Sequence, residues 1–200
     1  MANRIKNNKT GFTLIELLIS IALVLILFIS FTTFFINYMT LYYGLQSDAS
    51  NSIEMAEEIE RIASVLRGLT NITTATPNSL TAYAYFAPND QYVSLISYYL
   101  NSAGNQLLAT VTPMTSNPPT GTPITSEQKT YVIISNYYQS PSGQGIFSYY
   151  DSTGNELSQP ISNEQDISSI AINLSAPATH NSNGQSLSTT ITIRNRRVST

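Results

Sequence analysis

The sequence predicts an α+β protein in which one long amino-terminal helix packs on an antiparallel β-sheet head. Three observations predict this fold. No proline occurs before Pro77, so nothing interrupts a helix through the first third of the chain. An apolar run from Leu17 to Ile36 is followed by amphipathic helical spacing as far as Leu69. From Ser79 onward the apolar period changes to two, which is typical of half-buried strands.

The first element is long enough to cross a membrane, because the run Leu17–Ile36 contains 20 residues. Three basic residues, Arg4, Lys6 and Lys9, precede it and favour a cytoplasmic amino terminus. One acidic residue, Glu16, stands at its start. A carboxylate at the centre of a bilayer costs roughly 2.5–3.5 kcal/mol, so Glu16 is expected to find a partner.

Three interpretations of this segment are open from the residues alone. A cleaved secretory signal has an apolar core of about 7–15 residues and a small-residue cleavage site, and the residues after Ile36 offer no such site. A plain membrane anchor would keep its basic leader and let Glu16 reach the interface. The pair Gly11-Phe12 favours a third interpretation, cleavage just before the apolar run, since an anchor has no use for that pair.

Residues 11–18, Gly-Phe-Thr-Leu-Ile-Glu-Leu-Leu, resemble the amino-terminal signature of the type IV pilin family. That family includes major pilins, minor pilins and the pseudopilins of type II secretion and DNA-uptake machines. The resemblance implies cleavage after Gly11 by a membrane-embedded prepilin peptidase, then N-methylation of Phe12. It also implies that Glu16, the fifth residue after the cut, faces the terminal amine of a neighbouring subunit during filament assembly. Opposite charges attract strongly at low dielectric, which fits that role.

The resemblance further implies a set of partners and a location. The partners are the prepilin peptidase, other pilin or pseudopilin subunits, an assembly platform protein with its ATPase, and membrane lipid before assembly. The expected topology is a single membrane pass with the amino terminus in the cytoplasm and the head outside, and then a place in a pilus at the cell surface.

The organisation expected from these patterns has four parts: a prepilin leader at 1–11, a transmembrane and assembly half of the helix at 12–36, an amphipathic half at 37–69, and an extracytoplasmic β-rich head at 70–200. In the amphipathic half, Ile59, Ile62 and Leu66 recur at intervals of three and four residues. Gly68 is the expected end of the helix.

Six segments of the head are predicted to be strands because they are rich in Tyr, Ile, Val and Thr and are separated by turn residues. They are Ser79–Phe86, Tyr92–Leu100, Thr130–Tyr138, Gly145–Asp151, Ile167–Leu174 and Leu187–Arg194. The proline-rich stretch Thr112–Ser126 is predicted to be an exposed loop.

Two turns of the head share a pattern, a Tyr-Tyr strand followed by a turn that contains Gly-Asn. They lie at residues 101–107 and 151–157, and each predicts a β-hairpin. Either a duplicated hairpin or repeated use of the same turn residues explains the similarity of the two segments, and the second is the simpler explanation. A calcium site is one interpretation of the oxygens of Asp151–Glu156, but the alternating acidic series of an EF-hand is lacking, so a turn without a metal is favoured.

Composition argues against an enzyme. The chain has one histidine, His180, in a loop-like stretch, and no cysteine, nucleophile elbow, zinc motif or phosphate-binding glycine loop. We therefore predict no catalytic residues, no cofactor and no metal site, and the ATPase must be a separate protein. The leader holds three of the nine basic residues, so the processed chain would carry six basic and twelve acidic residues, a net charge of −6.

Three functional classes follow. The first is a minor pilin or pseudopilin, favoured because the chain lacks both the disulfide and the helix-kinking proline of many major pilins. The second is a tip adhesin or a DNA-binding subunit, for which Arg194, Arg196 and Arg197 are the expected contacts. The third is an anchored binding protein that does not polymerise and is not cleaved at Gly11. Among these, we predict the first.

Overall fold

A computed structural model describes residues 11–135, 137, 145–176 and 185–193. Contacts divide the chain into two compact units, Met1–Tyr43 and Gly44–Thr200. The boundary falls within one 54-residue helix, α1 (Leu14–Arg67). The strands are β1 (Asn71–Thr76), β2 (Ser79–Ala84), β3 (Ser94–Leu100), β4 (Leu107–Pro113), β5 (Lys129–Ile134), β6 (Phe147–Tyr150), β7 (Ser169–Ala176) and β8 (Gln185–Thr192), with short 3₁₀ helices at Thr125–Glu127 and Glu164–Asp166.

The predicted class, one long amino-terminal helix packed on antiparallel sheets, is confirmed. The helix ends at Arg67, and Gly68 follows it as the sequence predicts. There the Gly68 N–H donates to the Val65 carbonyl at 3.1 Å, and the Leu69 N–H donates to the Leu66 carbonyl at 3.2 Å. Such i to i−3 bonds tighten the last turn of a helix and satisfy carbonyls that have no helical partner.

In the second unit, α1 contributes the buried stripe that the three- and four-residue spacing predicts. Ile62 and Ala63 are fully buried, and Leu66 is 1% exposed. These residues belong to one core cluster with side chains from both sheets. The members from β2, β3 and β4 are Leu80, Ala82, Ala84, Ile96, Tyr98, Leu107, Ala109 and Val111, and those from β6, β7 and β8 are Phe147, Tyr149, Ile170, Ile172, Leu174, Ala176 and Ile191.

The larger sheet is a five-stranded antiparallel meander in the order β1-β2-β3-β4-β5. Two of its strands, β1 and β4, are absent from the six segments that strand pattern predicted. β1 is a polar sequence, Asn-Ile-Thr-Thr-Ala-Thr, which carries little apolar alternation. β4 is the returning arm of the hairpin that the first Gly-Asn turn predicts, and it pairs with β3 over seven residues.

The smaller sheet contains β6, β7 and β8 in that order, and it joins the larger one through the turn between β1 and β2. The Phe147 N–H donates to the Pro77 carbonyl at 2.9 Å. The Tyr149 hydroxyl donates to the Thr76 carbonyl, also at 2.9 Å. Gly145 stands at this close approach, since a Cβ there would lie 2.5 Å from the carbonyl oxygen of Pro77.

The stretch predicted as an exposed loop, Thr112–Ser126, is more regular than expected. β4 extends to Pro113, and Met114 then forms a β-bridge with Pro123. The Asn117 side chain accepts a hydrogen bond from the Val93 N–H at 2.9 Å. The stretch is therefore an exposed hairpin extension that is tied to the start of β3.

The two similar turns share one side-chain hydrogen bond and one glycine conformation but form different hairpins. Asn101 and Asp151 each accept, through a side-chain oxygen, the N–H of the residue four positions later, at 3.0 and 2.9 Å. Gly104 and Gly154 have φ of 69° and 87°, a conformation that favours glycine. The first turn joins the two seven-residue strands β3 and β4. After the second turn, the chain pairs with β6 through one β-bridge, Tyr150 to Glu156. Repeated turn chemistry accounts for the echo better than duplication does.

Candidate assembly site at the start of the helix

The start of α1 is closed by a reciprocal pair of side chains, Thr13 and Glu16. The Glu16 N–H donates to Thr13 Oγ1 at 3.3 Å, and the Thr13 N–H donates to Glu16 Oε2 at 3.2 Å. The Thr13 hydroxyl also donates to the same carboxylate oxygen at 3.1 Å. This arrangement is a capping box, which satisfies two backbone N–H groups that have no helical partner. A carboxylate in the first turn also suits the helix dipole.

The capping box gives Glu16 a partner inside its own chain. From the sequence we expected a partner for Glu16 only on a neighbouring subunit and did not identify Thr13. The signal was present, because Thr-x-x-Glu before an apolar run is the sequence form of a capping box. Glu16 Oε1 accepts no hydrogen bond from any described residue. One carboxylate oxygen is therefore left for a further donor.

The predicted cleavage pair lies on open backbone just before this cap. A Cβ built on Gly11 would meet no atom within 4 Å. The Phe12 side chain is 77% exposed. Neither residue belongs to α1, which begins at Leu14. Proteases cut most readily at exposed backbone outside regular secondary structure, so the local geometry is compatible with the predicted cut.

From Leu14 to Tyr43, α1 presents apolar side chains outward on all sides. An 18-residue window has a mean hydropathy of 2.9 and none of it is buried. By length and composition this is the one helix among the described residues that could cross a membrane. Two pairs of aromatic rings stack on its surface, Phe31 with Phe35 and Phe34 with Tyr38, with ring centroids 6.4 and 6.5 Å apart.

The hydroxyl groups of this apolar stretch bond back to its own backbone. Ser20 donates to the Glu16 carbonyl at 2.7 Å, and Ser30 donates to the Ile26 carbonyl at 2.9 Å. Thr32, Thr33 and Thr40 make the same i to i−4 bond, at 2.8–3.0 Å. A hydroxyl bonded in this way needs no external partner, which lowers the cost of placing it in an apolar environment.

The remaining candidates are not brought together into a site. Arg194, Arg196 and Arg197 lie outside the described residues, as does His180. In the calcium candidate, Asp151 Oδ1 already accepts from the Thr153 N–H, the Thr153 hydroxyl and the Asn155 N–H at 2.7–2.9 Å. The Thr153 hydroxyl is the main cause that lowers the pKa of Asp151. Over residues 11–135, 137, 145–176 and 185–193, no group of three metal-ligating side chains occurs.

Comparison with known families finds one match, at the start of the chain. A family model described as the prokaryotic N-terminal methylation motif matches residues 6–32. The match contains Gly11, Phe12 and the Thr13–Glu16 cap and ends inside the apolar stretch of α1. The chain therefore carries the class III signal motif, and together with a helix and antiparallel sheets this is consistent with a type IV pilin-like prepilin. No curated protein matches the chain significantly.

Proposed function

We propose that this protein is a minor pilin or pseudopilin, a structural subunit of a type IV pilus-like filament rather than an enzyme. A prepilin peptidase removes residues 1–11, and Phe12 becomes the methylated amino terminus. Residues 12–36 hold the subunit in the membrane with the head, residues 70–200, outside the cytoplasm, and 37–69 form the amphipathic half of the helix. An assembly platform protein and a separate ATPase then transfer the subunit into the filament.

One observation supports this proposal above the others: a capped carboxylate, Glu16, lies in the first turn of a helix whose first half is apolar and exposed on every side. In the membrane, the bonds from Thr13 offset part of the cost of burying the charge. In a filament, the methylated amine of Phe12 in the adjoining subunit donates a hydrogen bond to the other carboxylate oxygen, Oε1. The amine and the carboxylate then remove each other's burial penalty, and the pairing sets the axial register of neighbouring helices.

The experiment compares three variants of the full chain in cells that assemble the filament. Glu16→Ala should be cleaved normally, yet its recovery in sheared filaments should fall about tenfold or more, because a charge-assisted bond is lost. Thr13→Val keeps the charge and loses the cap, which contributes about 1 kcal/mol, so its recovery should be intermediate. Ser30→Ala is the control within the same stretch, since its hydroxyl bonds only to the Ile26 carbonyl.

The readout separates processing from assembly. Gel migration reports cleavage, and the amount of subunit in the sheared fraction reports incorporation. Normal recovery of Glu16→Ala in filaments would contradict the pairing mechanism. Equal losses for Glu16→Ala and Ser30→Ala would mean that any polar change in this stretch is harmful, and that Glu16 has no special part.

A further inference from the structure

The five-stranded sheet has an outer face that points away from α1. Ala82 of β2, Ile96 of β3 and Ala109 of β4 belong to the core cluster that contains the buried stripe of α1. Because side chains alternate along a strand, the residues next to these in sequence lie on the opposite, outer face. This face is separate from the capped helix start and has no part in the function proposed above.

A row of hydroxyl groups crosses the outer face, with one residue from each of the five strands. In order from β1 to β5 the members are Thr74, Thr81, Ser97, Thr110 and Thr130, and each is paired with the next. Because neighbouring strands lie about 4.8 Å apart, the row is about 19 Å long. Thr74 and Thr130, at its two ends, are exposed.

The hydroxyl groups of the row bond to one another and still have hydrogen bonds to offer. Thr81 bonds to Ser97, and Thr110 bonds to Thr130 at 3.1 Å. A hydroxyl group donates one hydrogen bond and accepts two. A bond between two hydroxyl groups uses one donor, so the pair of Thr81 and Ser97 keeps one donor and several acceptor positions for a ligand.

Tyr99 of β3 holds an aromatic ring over this face. Its hydroxyl bonds to the Thr110 hydroxyl of β4 at 3.1 Å, although the residue directly opposite Tyr99 is Leu108. The side chain therefore lies along the sheet and reaches into the hydroxyl row. Thr110 is accordingly only 9% exposed, and the Tyr99 side chain is half-buried. A ring held in this way loses little conformational freedom when a ligand packs on it.

The two rows that flank the hydroxyl row are uncharged and partly apolar. Tyr83 and Leu95 lie in one of them, and Tyr99, Leu108 and Val132 lie in the other. Every residue of the three rows is uncharged. A charged ligand would therefore lose water on this face without meeting an opposite charge in these rows, whereas an uncharged ligand would not incur that cost.

We propose that the outer face of the five-stranded sheet binds an uncharged, extended polysaccharide. The polysaccharide lies along the hydroxyl row and exchanges hydrogen bonds with the donors and acceptors that the row still offers. One sugar ring packs its C–H groups on Tyr99, because the face of an aromatic ring is negative and polarised C–H groups are attracted to it. The match is one of charge and hydrogen bonding: an uncharged surface that offers both donors and acceptors fits a chain whose hydroxyl groups do the same.

The test uses the full-length chain with ¹³C-labelled leucine methyl groups, in micelles of a detergent without a sugar head group. Leu95 and Leu108 report on the outer face, whereas Leu174, which is fully buried in β7, reports on the rest of the head. The probe is cellohexaose, a straight β-linked chain of glucose units. Its control is maltohexaose, a curved α-linked chain of the same composition.

Cellohexaose should shift the Leu95 and Leu108 methyl signals saturably and leave the Leu174 signal unchanged. Maltohexaose should bind about fivefold more weakly or less tightly still, because a curved chain loses at least one hydrogen bond to a straight row.

Two variants separate the hydroxyl row from the ring. Thr130→Val removes one hydroxyl group with little change of shape and should weaken binding about two- to tenfold, the range of one hydrogen bond. Tyr99→Leu removes the ring and should weaken binding by a similar factor. Thr190→Val makes the first change on an exposed residue of β8, in the smaller sheet, and should leave the affinity unchanged. A Leu174 signal at its wild-type position shows that each variant is folded.

Three results would overturn the proposal. The first is the absence of any shift at Leu95 and Leu108, or equal affinity for the two sugars. The second is wild-type affinity in either Thr130→Val or Tyr99→Leu. The third is a shift of the Leu108 signal that depends on protein concentration alone, which would make a second copy the occupant. None of these results bears on whether Glu16 acts in assembly, so the two proposals fail separately.

Discussion

The two halves of α1 use one continuous backbone in opposite ways. Up to Tyr43, nearly every apolar side chain is exposed, and Ile26 is 61% exposed. From Gly44 to Arg67, eight residues are buried, and Ile62 is fully buried. Both halves are helical, so helix propensity does not distinguish them. They differ in whether other parts of the same chain bury their apolar side chains. The apolar side chains of the second half pack on the head, whereas those of the first half are covered by no other described part of the chain.

The largest effect expected from this difference comes from shortening isoleucine in each half. Ile62→Ala should lower the free energy of unfolding of the head by about 2–5 kcal/mol, because a fully buried side chain leaves a cavity. Ile26→Ala should leave that free energy unchanged. Thermal unfolding of the full chain in micelles, followed by the near-ultraviolet circular dichroism of tyrosine, measures both. Equal losses in the two variants would mean that the apolar half is part of the head's core.

A second test examines how closely the head is packed where its two sheets meet. Gly145→Ala should destabilise the head by about 1–3 kcal/mol, because the new Cβ would lie 2.5 Å from both Cβ and the carbonyl oxygen of Pro77. Gly68→Ala is the matched control, since its nearest atom, the Val65 carbonyl oxygen, would be 3.6 Å away. If Gly145→Ala unfolds at the wild-type temperature, the contact between the sheets is looser than described.

The smallest expected effect is a change in the stability of the head with pH, and its cause is Glu58 in the second half of α1. Burial is the main cause that raises the pKa of Glu58, with further contributions from Glu54 and Glu57, while Arg61 opposes them. Its Oε2 atom is buried and has no hydrogen-bond partner among the residues that the structure describes. A carboxyl group with a raised pKa in the folded state disfavours folding once it is ionised. The wild-type head should therefore gain stability, relative to Glu58→Gln, as the pH falls through the raised pKa towards 4.5.

Chemical denaturation of both proteins between about pH 4 and pH 7 measures this difference. The unfolding free energy of the wild type minus that of Glu58→Gln should increase as the pH is lowered. A difference that stays constant over that range would mean that the side chain is solvated in both states. Ionisation of Glu58 would then cost the folded head nothing.

The sequence predicted those parts of the fold in which one pattern dominates. The end of α1 followed from Gly68 and from the spacing that places Ile62 and Leu66 on one face. β7 and β8 followed from their alternation and β-branched residues. β1 was missed because Thr73 and Thr74 replace the apolar alternation, so that strand is defined by pairing with β2 rather than by its own composition.

Only part of the candidate site was predicted from the sequence. Gly11, Phe12 and Glu16 were identified from a short linear motif, and their roles in processing and assembly stay predictions. Thr13 was overlooked, although the capping box that it forms with Glu16 is local and readable from the sequence. The contact between Phe86 and Tyr131 of β5 could not have been predicted, because it joins residues 45 positions apart in the chain.

The most direct test of the account is mass spectrometry of the amino terminus of the native protein. If the first half of α1 is an assembly surface released by processing, the polypeptide begins at Phe12 and carries one added methyl group on its terminal amine. A polypeptide that begins at Met1 or Ala2, with its basic leader retained, would contradict the account. The apolar half of α1 would then be a simple membrane tether.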